Sequence, residues 1–425
     1  MTNDAIRDVL DAARAAQRAS RWVGSLPTRA RNAALEALAG RLESSRDEIL
    51  HANARDVADA RAAGIGDAKI RRLALSPESI AALAEGVQQV AALPDPIGAV
   101  TRETTTPAGL RVRKVRAPLG VVMMIYESRP GVTVDAFSLC FKAGNACILK
   151  GGREAARSNE ALARCVRESL RAIGAGADEA AAMTLVTTSD RDAIRALLAL
   201  EGVVDLAIPR GGEALIRFVH EHARVPTVQH FHGVCHVFAH AAADQAMALD
   251  VIATAKTSAP ATCNAVECAL IDEPIAGALV PRLARRAEQD GFTIRGDRRV
   301  VELAGASPAV TPADERDWGR EFLDLTLAVR VVAGLDGAVE HIARYGSRHT
   351  EAIITEDAAA AEDFVNRVDA SCTLVNASTR FNDGFQLGLG AEIGISTSKI
   401  HAYGPMGLEE LTTQRWVVLG SGQTR

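Results

Sequence analysis

The chain has 425 residues, 48% of them hydrophobic but only 4% aromatic, enough for two or three domains around a large core. A net charge of −5 and a pI near 6.1 argue against a general nucleic-acid binder. No apolar run approaches membrane-spanning length, and the acidic start at Asp4, Asp8 and Asp11 precedes no signal-peptide core, so no membrane or secretory address is expected.

Residues 4 to about 92 read as helical. Leu35, Leu38 and Leu42 share one helical face, as do Ile80, Leu83, Val87 and Val90. Ser76-Pro77 reads as an N-cap followed by proline at the first helical position, and Pro94 and Pro96 end the region. A Thr-rich stretch at 101–106 and a basic one at 110–116 flank Pro107-Ala108-Gly109, which predicts a projecting hairpin. From 119 the pattern is strand-helix-strand. Val121 to Tyr126 is an apolar run of the buried parallel type, followed by a helix to about Lys142 and a strand at Ala146 to Leu149. A helix from about Arg153 to Ile173, strands at Thr184 to Val186 and Val203 to Ile208, and a helix near 190–200 complete a doubly wound α/β unit. A second α/β unit spans about 234 to 395. The tail, 414–420, carries Trp416-Val417-Val418-Leu419 and predicts an edge strand. The seven cysteines form no CxxC pair and read as reduced thiols of a cytoplasmic protein.

The cysteine with the most informative surroundings is Cys263, in Thr257-Ser258-Ala259-Pro260-Ala261-Thr262-Cys263-Asn264-Ala265-Val266-Glu267. Pro260 and small polar residues predict a loop, and Val266 to Leu270 a strand, so the thiol stands at a loop-to-strand junction that can face a cleft. Cys268 lies inside the apolar strand and predicts burial. His232 and His236 have no carboxylate or thiol cluster at useful spacing, so no metal is expected.

Several segments together resemble the aldehyde dehydrogenase superfamily. They are Pro118-Leu119-Gly120-Val121-Val122 through Tyr126-Glu127-Ser128-Arg129-Pro130, Lys142-Ala143-Gly144-Asn145-Ala146, Leu149-Lys150-Gly151-Gly152, Ile208-Pro209-Arg210-Gly211-Gly212 and Ala261-Thr262-Cys263-Asn264. In the C-terminal part they are Ala377-Ser378-Thr379-Arg380-Phe381, Gly388 through Thr397 and Gly404-Pro405-Met406-Gly407-Leu408. The resemblance covers nearly the whole chain. It implies an α/β fold of three parts: a Rossmann-like NADP(H)-binding domain at 1–100 and 117–233, a catalytic α/β domain at 234–395, and oligomerisation segments at 101–116 and 408–425.

What the resemblance implies for chemistry follows residue by residue. Cys263 is the nucleophile that takes the acyl group as a thioester. Ser128 stands where the superfamily has an oxyanion-binding Asn. His230 stands where hydrolytic members have the Glu that activates water, a replacement that favours reduction over hydrolysis. Lys150 reaches the adenosine ribose. Arg153, a cation where NAD users often carry an acid, points to the 2′-phosphate of NADPH/NADP. Arg210, Gly211 and Gly212 lie near the pyrophosphate. Glu321 holds the nicotinamide ribose, although the Gly-Pro that follows it in the superfamily is missing. Glu127, Arg129, Lys256 and Arg380 are the charged candidates for binding substrate. The resemblance is strongest to the branch that reduces L-glutamyl 5-phosphate to L-glutamate 5-semialdehyde in proline biosynthesis. It implies a homo-oligomer, dimer or tetramer, in the cytoplasm, with glutamate 5-kinase as a functional partner. Two alternatives remain at this stage: an aldehyde dehydrogenase that oxidises a free aldehyde, and a cysteine acyltransferase or hydrolase without nicotinamide.

Overall fold

The computed structural model describes residues 2–228 and 232–424. Five helices come first: α1 (Thr2–Ser25), α2 (Thr28–Ser44), α3 (Arg46–Ala62), α4 (Asp67–Leu73) and α5 (Pro77–Ala92). The expected cap of α5 is present: the Ser76 hydroxyl accepts the Ser79 N–H, Ser79 returns the bond to the Ser76 N–H, and Pro77 opens the helix. The antiparallel hairpin follows as β1 (Val100–Thr105) and β2 (Arg111–Pro118).

The next elements alternate: β3 (Val121–Tyr126), α6 (Val132–Lys142), β4 (Ala146–Lys150), α7 (Ala156–Ala172), β5 (Met183–Leu185), α8 (Arg191–Leu198), β6 (Leu206–Arg210) and α9 (Glu213–His222). The four strands form a parallel sheet in the order β5-β4-β3-β6. All six residues of β3 are buried, which explains its uninterrupted apolar run. Val121, Met123, Ile125 and Ile148 pack with Ala13 and Ala16 of α1, Leu197 of α8 and Val219 of α9.

A second alternation gives β7 (Cys235–Ala239), α10 (Gln245–Thr257), β8 (Val266–Asp272), α11 (Glu273–Asp290), β9 (Thr293–Gly296), α12 (Arg298–Ala304), β10 (Val310–Pro312), β11 (Thr326–Val332), α13 (Gly334–Tyr345), β12 (Thr350–Ile354), α14 (Ala358–Arg367) and β13 (Cys372–Val375). Its strands form a seven-stranded parallel sheet, β10-β9-β11-β8-β7-β12-β13. Alternate residues of β7 and β8 serve two cores. Val237, Ala269 and Ile271 pack with Ile252 of α10 and Leu279 and Leu283 of α11, whereas Phe238, Cys268 and Leu270 pack with Ile342 of α13 and Phe364 of α14. Helices thus cover both faces of this sheet, as a doubly wound fold requires. A two-stranded ribbon, β14 (Ile395–Ser396) with β15 (Gly404–Pro405), precedes the last strand, β16 (Thr412–Leu419). The tail pairs as expected: β16 lies antiparallel to β2, making a three-stranded sheet β1-β2-β16.

The chain divides into two compact units, residues 1–229, 388–394 and 406–425 in one, and residues 230–387 and 395–405 in the other. The expected boundary at 233/234 therefore falls a few residues earlier, and the three-stranded sheet belongs to the first unit. The return of 388–394 to that unit was not foreseen. Its backbone there depends on Gly390 and Gly394 at positive φ, and on bonds from Ile393 N–H to Met406 O and from Met406 N–H to Gly394 O. No helix among the described residues is long and apolar enough to cross a membrane.

Candidate active site

In the second unit, α10 ends at Thr257 and a loop of eight residues leads into β8 with Cys263 near its end. Cys263 is half-buried, while Cys268, five residues on, is fully enclosed. The loop is held from several sides. Thr262 Oγ1 donates to Ala259 O at 2.7 Å, and the Ala265 N–H to Thr262 O at 3.0 Å. Cys235 donates its thiol proton to the carbonyl oxygen of Cys263 at 3.2 Å. Gly233 runs so close that a Cβ there would stand 1.9 Å from the same oxygen, so glycine is required. The Gly233 N–H donates to Glu321 Oε1 at 3.0 Å, which ties Glu321 to the segment beside Cys263. Arg380 Nη1 donates to Thr262 Oγ1 at 2.9 Å and to Asn264 Oδ1, and Asn264 Nδ2 donates to Asn382 O at 3.0 Å. His230 lies outside the described residues.

Lys256, expected beside the substrate, is fully enclosed. Its ammonium donates to Glu267 Oε2 at 2.6 Å, both side chains being inaccessible, and it sits over the Phe322 ring. Burial pushes the Glu267 carboxyl up to about 7 against the pull of Lys256. The pair joins α10 to β8, a structural duty that leaves the cation no path to a ligand.

The fold also gathers side chains that sequence spacing keeps apart. The ring nitrogens of His236 and His341 and the sulfur of Cys268 converge, all buried. The donor chemistry makes this a hydrogen-bonded network. Arg330 Nη1 lies 3.1 Å from His341 Nδ1, and a guanidinium can only donate. Nδ1 therefore accepts, Nε2 carries the proton, and it donates to Cys268 Sγ at 3.6 Å. Burial, then the charges of His236 and Arg330, lower the His341 pKa to about 2, which keeps it neutral. Burial alone would lower His236 as well, but the Glu351 carboxylate at 2.8 Å raises it to about 10.

In the first unit, the sheet order places β4 on one side of β3 and β6 on the other. The carboxyl ends of these parallel strands form the crevice where open α/β sheets bind nucleotides. Lys150 closes β4 and donates to Gly151 O at 2.6 Å, and burial lowers its pKa. Arg153 is exposed at the start of the 3-10 turn that follows. Arg210 closes β6, its guanidinium 3.3 Å from where a Cβ on Gly394 would stand. Gly211 and Gly212 lead into α9, and Glu127 Oε2 accepts the Gly212 N–H at 3.2 Å. The exposed cation that follows Lys150 fits a dinucleotide phosphate, whereas the Gly212 N–H at the start of α9 is taken by the Glu127 carboxylate, which must release it before a phosphate can bind there. Arg129 is exposed.

Ser128 departs from its expected role. It is buried with φ of 45°, and Glu154 accepts both its N–H, at 2.8 Å, and its hydroxyl proton, at 2.7 Å. One hydroxyl has one proton, so Ser128 serves the turn after β3 and donates to an oxyanion only if Glu154 lets go. Burial works against charge on Glu154, but the Ser128 bonds hold its pKa below the ordinary carboxylate value. Sequence reasoning missed Glu154, Cys235 and Gly233. Only the Gly after His232 carried any signal, as a residue without a side chain beside a matched motif.

Residues 1–295 match the aldehyde dehydrogenase family. The chain belongs to that family. Relatives within it include a gamma-glutamyl phosphate reductase of Sorangium cellulosum, 52% identical over 415 residues that cover 96% of each chain. One of Xanthomonas axonopodis pv. citri is 50% identical over 407 residues, covering 96% of this chain and 97% of its own. The crystal structure of gamma-glutamyl phosphate reductase from Thermotoga maritima superposes with a TM-score of 0.94 at 40% identity, covering 98% of this chain and 99% of that one. An acetylating aldehyde dehydrogenase from Geobacillus thermoglucosidasius, at 18% identity and a TM-score of 0.71, shares the aldehyde dehydrogenase fold.

Proposed function

We propose that this chain reduces L-glutamyl 5-phosphate to L-glutamate 5-semialdehyde and phosphate, with NADPH as reductant, as a step of proline biosynthesis. The observation that carries the reading is identity of about half along nearly the full length of relatives named for this reaction, with Cys263 half-buried in a pinned loop.

The Cys263 sulfur attacks the acyl carbon of the substrate. The carbon–oxygen bond to phosphate breaks, phosphate leaves with the electron pair, and a thioester forms. Phosphate is a good leaving group, so the step needs little acid assistance. Reduction of the thioester carbon gives a hemithioacetal oxyanion, whose collapse expels the thiolate and frees the aldehyde. A bound nicotinamide cofactor would supply the hydride, and Lys150, Arg153, Arg210, Gly211 and Gly212 are the residues of the first unit that would hold it. The exposed Arg153 favours the 2′-phosphate of NADP(H). The bonds to the Cys263 carbonyl and to Thr262 restrain the loop that carries the sulfur, which favours its addition to the face of the acyl carbonyl. An acyl phosphate is short-lived in water, which makes glutamate 5-kinase the functional partner and the cytoplasm the common compartment.

The test is the reverse reaction. Glutamate 5-semialdehyde should reduce NADP only when inorganic phosphate is present, followed by nicotinamide absorbance. Phosphate-independent oxidation would overturn the reading in favour of an aldehyde dehydrogenase that forms a free acid.

A further inference from the structure

Arg380 stands on the 3-10 turn Thr379–Phe381, which follows β13, yet its guanidinium works on the nucleophile's loop. Nη1 donates to Thr262 Oγ1 and Asn264 Oδ1, the side chains immediately before and after Cys263. The backbone is tied to the same place, because Arg380 O accepts from Asn264 Nδ2 at 3.4 Å and the Arg380 N–H bonds Ser378 Oγ at 3.3 Å. The cation is therefore fixed within a residue's reach of the reactive sulfur. The partners of its Nη1, Thr262 and Asn264, are both neutral. Its Nε is enclosed and has no acceptor. An enclosed guanidinium N–H without an acceptor is a standing cost in the folded chain, and a guanidinium held by neutral partners is matched to a forked oxyanion.

The substrate under the reading above offers two such anions. Its α-carboxylate is separated from the attacked carbon by three intervening carbons. Its phosphoryl group is separated by a single oxygen. A cation braced against both neighbours of the nucleophile matches the near anion. We infer that Arg380 binds the phosphoryl group of the acyl phosphate, and inorganic phosphate in the reverse direction, while bracing the Cys263 loop. As the carbon–oxygen bond breaks, the departing oxygen takes the electron pair. The guanidinium meets the added charge with hydrogen bonds and transfers no proton.

The inference rests on the proposed reaction, and the reverse assay separates the two. If wild-type enzyme fails to reduce NADP with semialdehyde and phosphate, the reaction is wrong. Given an active wild type, Arg380→Gln should raise the phosphate KM by about 10- to 100-fold, with the semialdehyde KM and the NADP dissociation constant within about twofold. Arg380→Lys should restore part of the phosphate affinity, since it keeps the charge and loses the fork. A raised semialdehyde KM with an unchanged phosphate KM would assign Arg380 to the α-carboxylate and overturn the inference. A lower kcat with both KM values unchanged would reduce it to a brace and also overturn it. Should the variants fail to fold, phenylglyoxal labelling of the wild-type enzyme decides, read by peptide mass. Phosphate should protect Arg380 and glutamate should not; the opposite pattern sinks the idea.

Discussion

Replacing Cys263 by alanine removes a sulfur from a loop held by other groups: the Cys235 thiol, the Gly233 backbone, and Arg380 through Thr262 and Asn264. The variant should keep its fold and its cofactor affinity while losing turnover by a factor on the order of 10⁴ or more. Steady-state rate and NADPH affinity measured on one preparation check this, and substantial residual reduction would remove Cys263 from its role. Arg153→Glu should weaken NADPH by roughly 10- to 100-fold and NADH far less, because a charge-assisted bond to the 2′-phosphate turns into repulsion. Equal losses for the two cofactors would make Arg153 a surface residue of its turn. The position of Cys263 at a loop-to-strand junction was legible in the sequence from the signals that flank it, whereas its role as nucleophile came only from the resemblance. The commitment of Ser128 to Glu154, 26 residues on, was not, since it depends on where β3 and the turn after β4 end in space. The reach of Arg380 across 116 residues to Asn264 was hidden for the same reason.

Among the elements, β3 was readable because every residue in it is buried and apolar, and most of β8 because its Cys268 to Ile271 form a buried apolar run despite Glu267 and Asp272. The short β9, β10 and β13 carry exposed or half-buried residues and gave no such run. What binds the second unit's elements to one another was the least visible. The network of His236, Cys268, His341, Arg330 and Glu351 draws on β7, β8, β11, β12 and α13. It has a consequence for stability against pH. An unfolded histidine titrates near 6.5, whereas folded His341 is held neutral down to about 2. The folded state thus binds fewer protons, so the contribution of His341 is full above pH 6.5 and declines as pH falls toward 2. Glu267, raised to about 7, and Glu351, raised by burial, act in the opposite sense, so the wild type alone does not isolate the effect. The comparison with His341→Gln does. The variant should be less stable at pH 7, and its deficit in urea unfolding should shrink by about 2 kcal/mol between pH 6.5 and 5. A deficit that does not change with pH would mean that His341 takes up its proton inside the fold.

For the molecule as a whole, the three-stranded sheet β1-β2-β16 poses the remaining question. Its two outer strands have open edges, and β1 is exposed along its full length. The outer strand β16 carries Trp416 and Val418 at 55% and 54% exposure, large apolar groups that a lone subunit would leave in water. Lys114 covers part of the Trp416 ring, and Glu103 ties Arg111 and Arg113 across the hairpin, so the ribbon is stiff enough to present a fixed edge. Open edges and apolar side chains together are a template for another chain, and proteins that keep such an edge usually pair it. Two copies related by a two-fold axis cover the β16 edge and its apolar side chains of both subunits with one self-complementary surface. We therefore expect at least a dimer at micromolar concentration by sedimentation. Truncation after Thr413 removes nearly all of β16, including Trp416 and Val418, and leaves β2 paired with β1 alone. That variant should sediment as a monomer or as a much weaker dimer, while the fluorescence of Trp22 and Trp318 reports that the two α/β units remain folded. A monomeric wild type would refute association, and an oligomer untouched by the truncation would place the interface elsewhere on the chain.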